Sequence, residues 1–438
     1  MQAVVRDEMS DDDLQLMLTT VVDLCDRSFP KKVNNETLER CRIYEGQVSG
    51  PLLRIANIRT EKCASVKQRV GVFLSEDGKY RSSEIFLLEA FEIRKELYGE
   101  NDTRTISIMY NLARTYALNG RYAKAAELGE QVLRMRSSLL GDLHPDTIAA
   151  MASLALTDIR QGRVTEAIKL LERALECARG VLGREHPDVL MVMGNLALAY
   201  QTAGRVTDAR SLEEELLHTS IQQLGEDHPY SQNAMVNLAA TCHSDGRLVE
   251  AIDVLENVLE TRTRILGDEH PDTLAVRGNL AGIYMDLGKT GKAVDVMERV
   301  LEARRRVLGN DHPDTLTTMA SLGLMYRQIP GGLKLNAATE LLEAAFEGMK
   351  RSLGGQHTLT LRAMVDLALV YRESGELQKS IAYLELASDA LRTTLGAQHS
   401  VTLDALRNLR ALYETSGRSV GLNMDEMLSD LEESSTSR

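Results

Sequence analysis

Apolar positions along this chain fall into a two-part phrase that returns every 42 residues. The first part sets Leu196 beside Ala197 and, three residues on, Tyr200, an i, i+1, i+4 pattern that makes one face of a helix. It recurs as Leu112-Ala113 with Tyr116, Leu280-Ala281 with Tyr284 and Leu367-Ala368 with Tyr371. A glycine follows each Tyr by four residues, and these glycines keep step as Gly78, Gly120, Gly162, Gly204, Gly246 and Gly288. Five residues further stands a small residue, Ser83, Ala125, Ala167, Ala209, Ala251 or Ala293, which opens a second amphipathic stretch such as Ala293 to Leu308. A small residue lets the facing helix approach to about 8 to 10 Å, and the Tyr fills the gap that remains. Each repeat therefore predicts two helices and two turns.

The second part of the phrase reads Leu266-Gly267-Asp268-Glu269-His270-Pro271-Asp272-Thr273 in a clean copy. Its histidine recurs as His144, His186, His228, His270, His312, His357 and His399, with one three-residue slip before His357. Glycine ends the second helix by taking a left-handed cap without penalty. Pro then gives up an amide that would be unpaired at the first helical position, and the Asp after it faces the positive helix end. A fixed period of this kind predicts stacked units in an all-α solenoid. Repeats start near Asn57, Gly99, Gly141, Gly183, Gly225, Gly267, Gly309, Gly354 and Gly396, about nine in all, with the last incomplete. The first is degenerate, with Val70, Gly71 and Leu74 in the core slots. In the seventh, the turn from Arg327 to Lys334 is three residues longer than its siblings, which predicts a local change of curvature.

Ahead of the array, Asp11 to Phe29 reads as an amphipathic helix broken by Pro30 to Asn35; Asn35 to Tyr44 reads as a second helix and Gly46 to Pro51 as a turn. The expected organisation is an N-terminal helical cap over 1–56, the array over 57–421, and a polar C-terminal cap and tail over 422–438.

Composition narrows the function. The 438 residues are 43% hydrophobic and 26% charged with 4% aromatics and no Trp, which suits packed helices with cores of Leu, Ala, Val and Met. A net charge of −13 argues against a nucleic-acid partner, because that affinity comes from clustered cations. Cys25, Cys41, Cys63, Cys177 and Cys242 are odd in number and lack any Cys-x-x-Cys pair, so they read as reduced, mostly buried thiols. The first thirteen residues carry five acids and no apolar signal region, and no 18-residue apolar run occurs anywhere, so the chain is expected to be cytoplasmic, without membrane contact. Asn35-Glu36-Thr37 and Asn101-Asp102-Thr103 then count as chance sequons.

Catalytic and cofactor readings fare poorly. Equivalent histidines in successive repeats stand roughly 10 to 20 Å apart at 8 to 10 Å per helix contact, whereas zinc needs its ligands within about 2.1 Å of one centre. His218 and His243 lie off the repeat and have no companion at ligand spacing. Gly288-Lys289-Thr290 looks like the end of a P-loop, but Ile283 stands where the earlier glycine belongs and a helix precedes it where a strand should. Arg262, Arg264 and Arg304-Arg305-Arg306 fall at the ends of second helices, where cations complement the negative pole. No nucleophile, base or paired-carboxylate set stands out, so the chain is expected to be a non-enzyme without cofactor or metal.

The Asn-Leu-Ala, Tyr, Gly and Ala series resembles the tetratricopeptide repeat, and the 42-residue length with Leu-Gly-x-x-His-Pro-Asp-Thr resembles its kinesin-light-chain type, over about 57 to 421. The resemblance implies a right-handed superhelix whose first helices line a concave groove that grips an extended peptide. The residue before the core Leu resembles the groove asparagine of the family, here Asn111, Asn195, Asn237, Asn279 and Asn408, with Ser153, Ser321 and Asp366 in the same slot elsewhere. An amide offers donors and an acceptor to a strand-like backbone; the other reading is that these asparagines bond to neighbouring helices and help stack the repeats. Arg114, His243, Arg327 and Arg372 flank the slot. The implied function is a protein-interaction scaffold with a protein or peptide segment as partner; the sequence carries no signal for oligomeric state. Val21 to Tyr44, with Ser28-Phe29-Pro30 and Glu39-Arg40-Cys41-Arg42-Ile43-Tyr44, resembles the stretch that joins switch domain to repeats in fungal NB-ARC/NACHT-type receptors, which gives the alternative of a sensor arm of a signalling NTPase.

Overall fold

The structure, a computed structural model, describes residues 10–33, 37–54, 58–397 and 399–416. These form α1 (Asp11–Ser28), α2 (Leu38–Arg54), α3 (Glu61–Glu76), α4 (Tyr80–Tyr98), α5 (Thr103–Leu118), α6 (Tyr122–Leu140), α7 (Pro145–Arg160), α8 (Val164–Leu182), α9 (Pro187–Thr202), α10 (Val206–Leu224), α11 (Pro229–Ser244) and α12 (Leu248–Leu266). There follow α13 (Pro271–Asp286), α14 (Thr290–Val307), α15 (Pro313–Arg327), α16 (Leu335–Ser352), α17 (Thr358–Glu373), α18 (Leu377–Leu395) and α19 (Ser400–Ser416), with no strand among the described residues. The all-α fold of repeating helix–turn–helix pairs is the one the periodicity predicts. The chain divides into two compact units, Met1–Ala150 and Met151–Arg438, within α7. The tail expected at 422–438 lies outside the described residues.

In the first unit α1 and α2 pack on each other and on α3, and α3 to α6 follow as successive pairs. Cys25, Phe29, Cys41, Val48 and Leu52 close over Val66, Val70, Phe73, Leu74 and Phe86. Arg69 of α3 donates to the carbonyls of Phe29 and Pro30 at 2.8 and 2.9 Å, which ties down the break after α1. The turn expected at Gly46 to Pro51 is absent, because α2 runs unbroken through Pro51. A proline inside a helix costs about 3 kcal/mol. Val48 and Leu52, on either side of it, are 2% and 0% exposed, and at about 1.5 to 3 kcal/mol each their burial offsets that cost.

In the second unit α8 packs on α9, and each helix thereafter packs on the next as far as α19. The first helices of neighbouring repeats also meet directly, α9 with α11 and α15 with α17. The two stops are glycine, but in two conformations. After a first helix, as at Gly204 (φ 74°), the amide of Arg205 donates back to the Tyr200 carbonyl at 2.9 Å, a left-handed helix cap. After a second helix the expected left-handed cap is not formed: Gly267 has φ 93° and ψ 165°, an extended mirror region open essentially to glycine alone. That geometry lets the chain leave the helix straight and present the next histidine.

Each repeat histidine is itself the helix cap. The amide two residues on donates to Nδ1 at 3.1 to 3.2 Å in His144, His186, His228, His270, His312, His357 and His399, the place usually held by Ser or Asp. We expect His270→Ala to cost about 0.5 to 2 kcal/mol and His270→Asp to restore most of it, read by the urea midpoint of the second unit. Equal loss in both variants would contradict the capping role.

The basic ends of second helices do more than complement the negative pole. Arg264 and Arg304-Arg305-Arg306 stand in the last turns of their helices, as expected, and Arg262 and Arg304 also reach forward, donating to the carbonyls of Asp272 at 3.0 Å and Asp314 at 3.1 Å in the next first helix. Arg94 and Arg136 do the same to Arg104 and Asp146 in the first unit. Outward-facing Arg264 pairs instead with Asp227, in the preceding repeat's loop, at 2.8 Å.

The longer seventh turn is taken up by a 3-10 turn, Pro330–Gly332, with Gly331 and Gly332 at φ 76° and 66°. Gly323 of α15 fills the slot that holds Ala197 or Ala281 elsewhere, yet a Cβ there would come within 2.8 Å of Leu342 Cγ and 3.2 Å of the Ala338 carbonyl oxygen. Here α15 and α16 approach more closely than an alanine pair would. Within the same unit, the cap of α19 returns to the turn after α7: a Cβ at Gly162 would stand 3.3 Å from His399 Cδ2.

Candidate functional site

The direct contacts of α9 with α11 and of α15 with α17 place the first helices on the more tightly spaced side of the stack, and the asparagine slots lie on these helices. Asn195 is half-buried, and Asn237 and Asn279 are exposed. None of these three side chains hydrogen-bonds to another described residue, and neither does Asn111 of α5 in the first unit. Asn237 Nδ2 lies 3.7 Å from the Cβ position of Gly194 on α9, so its amide rests over a residue with no side chain to bond. Asn408 differs: its amide donates to the Asp404 carbonyl of its own helix at 2.8 Å. Met191 and Leu198, 38% and 40% exposed, share the face of Asn195 at i−4 and i+3 and set an apolar strip beside the amides.

The other slots are chemically distinct. Ser153 and Ser321 are half-buried. Burial pushes the Asp366 carboxyl up to about 6, against the pull of Arg362 and Arg327. The flanking charges are engaged along the stack. His243 pairs with Asp286 at 2.5 Å and Arg327 with Glu373 at 2.8 Å, each joining successive first helices, while Gln201 donates to Ser244 at 3.1 Å. In the first unit Arg114 reaches Glu76 at 3.1 Å. Arg372 lies 4.0 Å from Glu373.

On the opposite side of each first helix the repeat tyrosines do more than fill space. Tyr200, Tyr284 and Tyr371 donate to Glu172, Glu256 and Glu343 at 2.9, 2.9 and 2.5 Å, always 28 residues back on the preceding second helix. A cation caps the ring from the following helix, as with Lys292, 3.9 Å from the Tyr284 centroid. The recurring spacing was there to be read. Glu213 is a second residue that sequence reasoning passed over: it stands where the neighbouring repeats have Leu171 and Leu255, is 2% exposed, and leaves Oε2 without a partner.

Among the described residues no three His, Cys, Asp or Glu side chains converge as a metal site, and no helix is long and apolar enough to cross a membrane. Gly288 and Lys289 form the turn after α13, which rules the P-loop reading out: Lys289 precedes α14 as its cap residue and Gly288 has the φ of 71° of the other turn glycines. Cys25, Cys41, Cys63 and Cys242 are buried free thiols, and Cys177 is half-buried.

Comparison with known proteins agrees with this geometry. The chain is 31% identical to the nearly identical TPR-like repeats of a Podosopora anserina protein named for kinesin light chain, over 46% of this chain and 95% of that one, with a TM-score of 0.40. It shares its fold with a Rap protein solved with competence and sporulation factor, at 12% identity over 88% of this chain and 99% of that one, TM-score 0.55. NprR in complex with its cognate peptide NprX gives 14% identity over 86% and 99%, TM-score 0.52. No curated protein matches the chain. The tetratricopeptide repeat matches residues 63–138, 146–218, 230–302, 272–329 and 334–393, and with most of its length so covered the chain belongs to the tetratricopeptide repeat family, whose arrays are protein-binding scaffolds.

Proposed function

We propose that the inner faces of α9, α11 and α13 bind an extended segment of a partner protein, with Asn195, Asn237 and Asn279 pairing with its backbone. One observation carries this reading: three side-chain amides at equivalent positions on consecutive first helices have no hydrogen-bond partner among the described residues. An amide bonded only to water exchanges that water for a peptide backbone at a net gain of about 0.5 to 1.5 kcal/mol per bond. The apolar strip of Met191 and Leu198 offers room for side chains on the same segment. NprR, of the same fold, is solved with a bound peptide, which supports a peptide-sized ligand. Asn111 offers the same chemistry in the first unit, and Asn408, bonded to its own helix, contributes less. The chain acts as a scaffold and not as a catalyst on this reading.

The test is Asn237→Ala combined with Asn279→Ala, with partners captured from lysate and identified by mass spectrometry against the parent protein. We expect the parent's partners to be lost with helix content and unfolding midpoint unchanged. A fall in midpoint with capture intact would mean that the asparagines stack repeats and do not recognise anything.

A further inference from the structure

The residue two before the asparagine slot is a methionine in most repeats: Met109, Met151, Met193, Met235, Met319 and Met364. Two steps along a helix turn by about 200°, so this residue faces away from the slot, towards the groove between successive second helices. Met151, Met193 and Met319 are 0%, 1% and 6% exposed there. From the second repeat to the eighth, the sixth alone breaks the series, with Arg277, whose side chain is 25% exposed. The groove it enters, between α12 and α14 beside α13, holds a cavity of about 470 Å³ lined by Leu259, Leu280, Val296 and Ala303. The corresponding cavities measure about 440 Å³ between α8 and α10 and about 350 Å³ between α14 and α16, and neither is lined by a guanidinium from its first helix.

Four cations line the larger cavity, and three are engaged: Arg277 with Asp268, Arg306 with Glu269, and Lys292 with the Tyr284 hydroxyl at 2.7 Å. Arg299, exposed on α14, has no hydrogen bond or ion pair to another described residue. Asp268 is 62% exposed in the loop before α13, so its hold on Arg277 is that of a surface ion pair, readily exchanged for another anion. Of the remaining acids, Glu256 accepts from Tyr284 at 2.9 Å, Glu269 holds Arg306, and Glu302 is exposed.

We propose that this cavity binds a small apolar carboxylate, with its stem against Leu259, Leu280, Val296 and Ala303 and its head on Arg277 and Arg299 in place of Asp268. The volume falls within the roughly 300 to 1,000 Å³ of small-molecule sites, and an apolar lining with a few convergent polar groups is their usual chemistry. A planar guanidinium pairs with a carboxylate through two parallel bonds. Arg299 is the cation left unpaired, so one negative charge is balanced, while Glu256, Glu269 and Glu302 oppose a second. The site therefore selects a carboxylate over a phosphate dianion. It faces away from Asn279 and stands or falls independently of peptide binding in the groove.

The experiment titrates octanoate into the full chain by isothermal titration calorimetry, with octanol and inorganic phosphate as controls. The expected result is one saturable octanoate site per chain, with both controls at least about tenfold weaker. Arg277→Met installs the residue that six sibling repeats carry, so helix content and unfolding midpoint should hold while octanoate affinity falls at least about tenfold. Arg299→Gln, at an exposed position, should weaken octanoate severalfold, and Asp268→Asn, which removes the competing carboxylate, should tighten it. Octanoate that fails to saturate, that binds Arg277→Met as tightly as the parent, or that is matched by octanol or phosphate overturns the site. So does weaker octanoate binding in Asp268→Asn.

Discussion

Glu213→Leu is expected to stabilise the second unit by about 1 to 3 kcal/mol at pH 7 and above, the cost of keeping a buried polar group without a partner. The carboxyl is 2% exposed in α10 and leaves an oxygen unpaired, in a slot where Leu171 and Leu255 are 0% and 2% exposed. Burial raises its pKa above 4.5, opposed only in part by the Thr241 hydroxyl. For an acid raised on folding, the unfolded chain releases the proton first, so the parent protein loses stability as pH climbs from the unfolded value to the folded one. The gap between variant and parent should therefore widen from pH 4 upwards and level off once the folded carboxyl ionises. Because neighbouring repeats can open separately, the gain is best read by hydrogen exchange of the α10 and α11 amides. A gap that stays constant from pH 4 to 8 would sink the argument from burial.

Arg262→Ala should act in the opposite direction, with a loss of roughly 2 to 5 kcal/mol. Its guanidinium, 6% exposed, donates to Gln232 Oε1 at 3.2 Å, Asn233 Oδ1 at 2.7 Å and the Asp272 carbonyl at 3.0 Å, so one side chain joins α11, α12 and α13. Truncation leaves three acceptors short of a donor and a cavity where the stem lay. Arg262→Met retains most of the stem's packing and should recover the part due to volume, which separates it from the part due to hydrogen bonds. Ser220 occupies the corresponding place one repeat earlier and bonds only to the Leu217 carbonyl of its own helix, so faster exchange should be confined to the joint between α12 and α13. Exchange rates and urea midpoint within 0.5 kcal/mol of the parent would show that the three bonds contribute nothing net.

Helix starts and stops were legible because they depend on local chemistry. Pro187, Pro229, Pro271 and Pro313 open their helices, and the positive-φ glycines close them where the 42-residue step places them. What depends on tertiary surroundings was not. The helix through Pro51 exists because Val48 and Leu52 have a core to enter, and nothing near Pro51 in sequence announces that core. Glu213 on an amphipathic helix reads as a solvated residue until the helix beside it is in place. Arg262 looks like a charge at a helix end, and only the start of α13 shows where it goes. The asparagine slot could be found from the repeat, but whether its amides are free could not, because that turns on what the adjacent first helix offers, and at Gly194 it offers nothing.

The meeting of His399 with the turn at Gly162 also bears on copy number. Arrays of this kind gain and lose modules readily, since each joint resembles the next and a duplicated or deleted stretch rejoins without a seam. A contact between the third module and the ninth removes that freedom. Each joint contributes a small rotation, and one module more or fewer carries the final cap past its partner or leaves it short. The interval between α7 and α19 is therefore held to its present number of modules, whereas the sequence within any one of them remains open to drift.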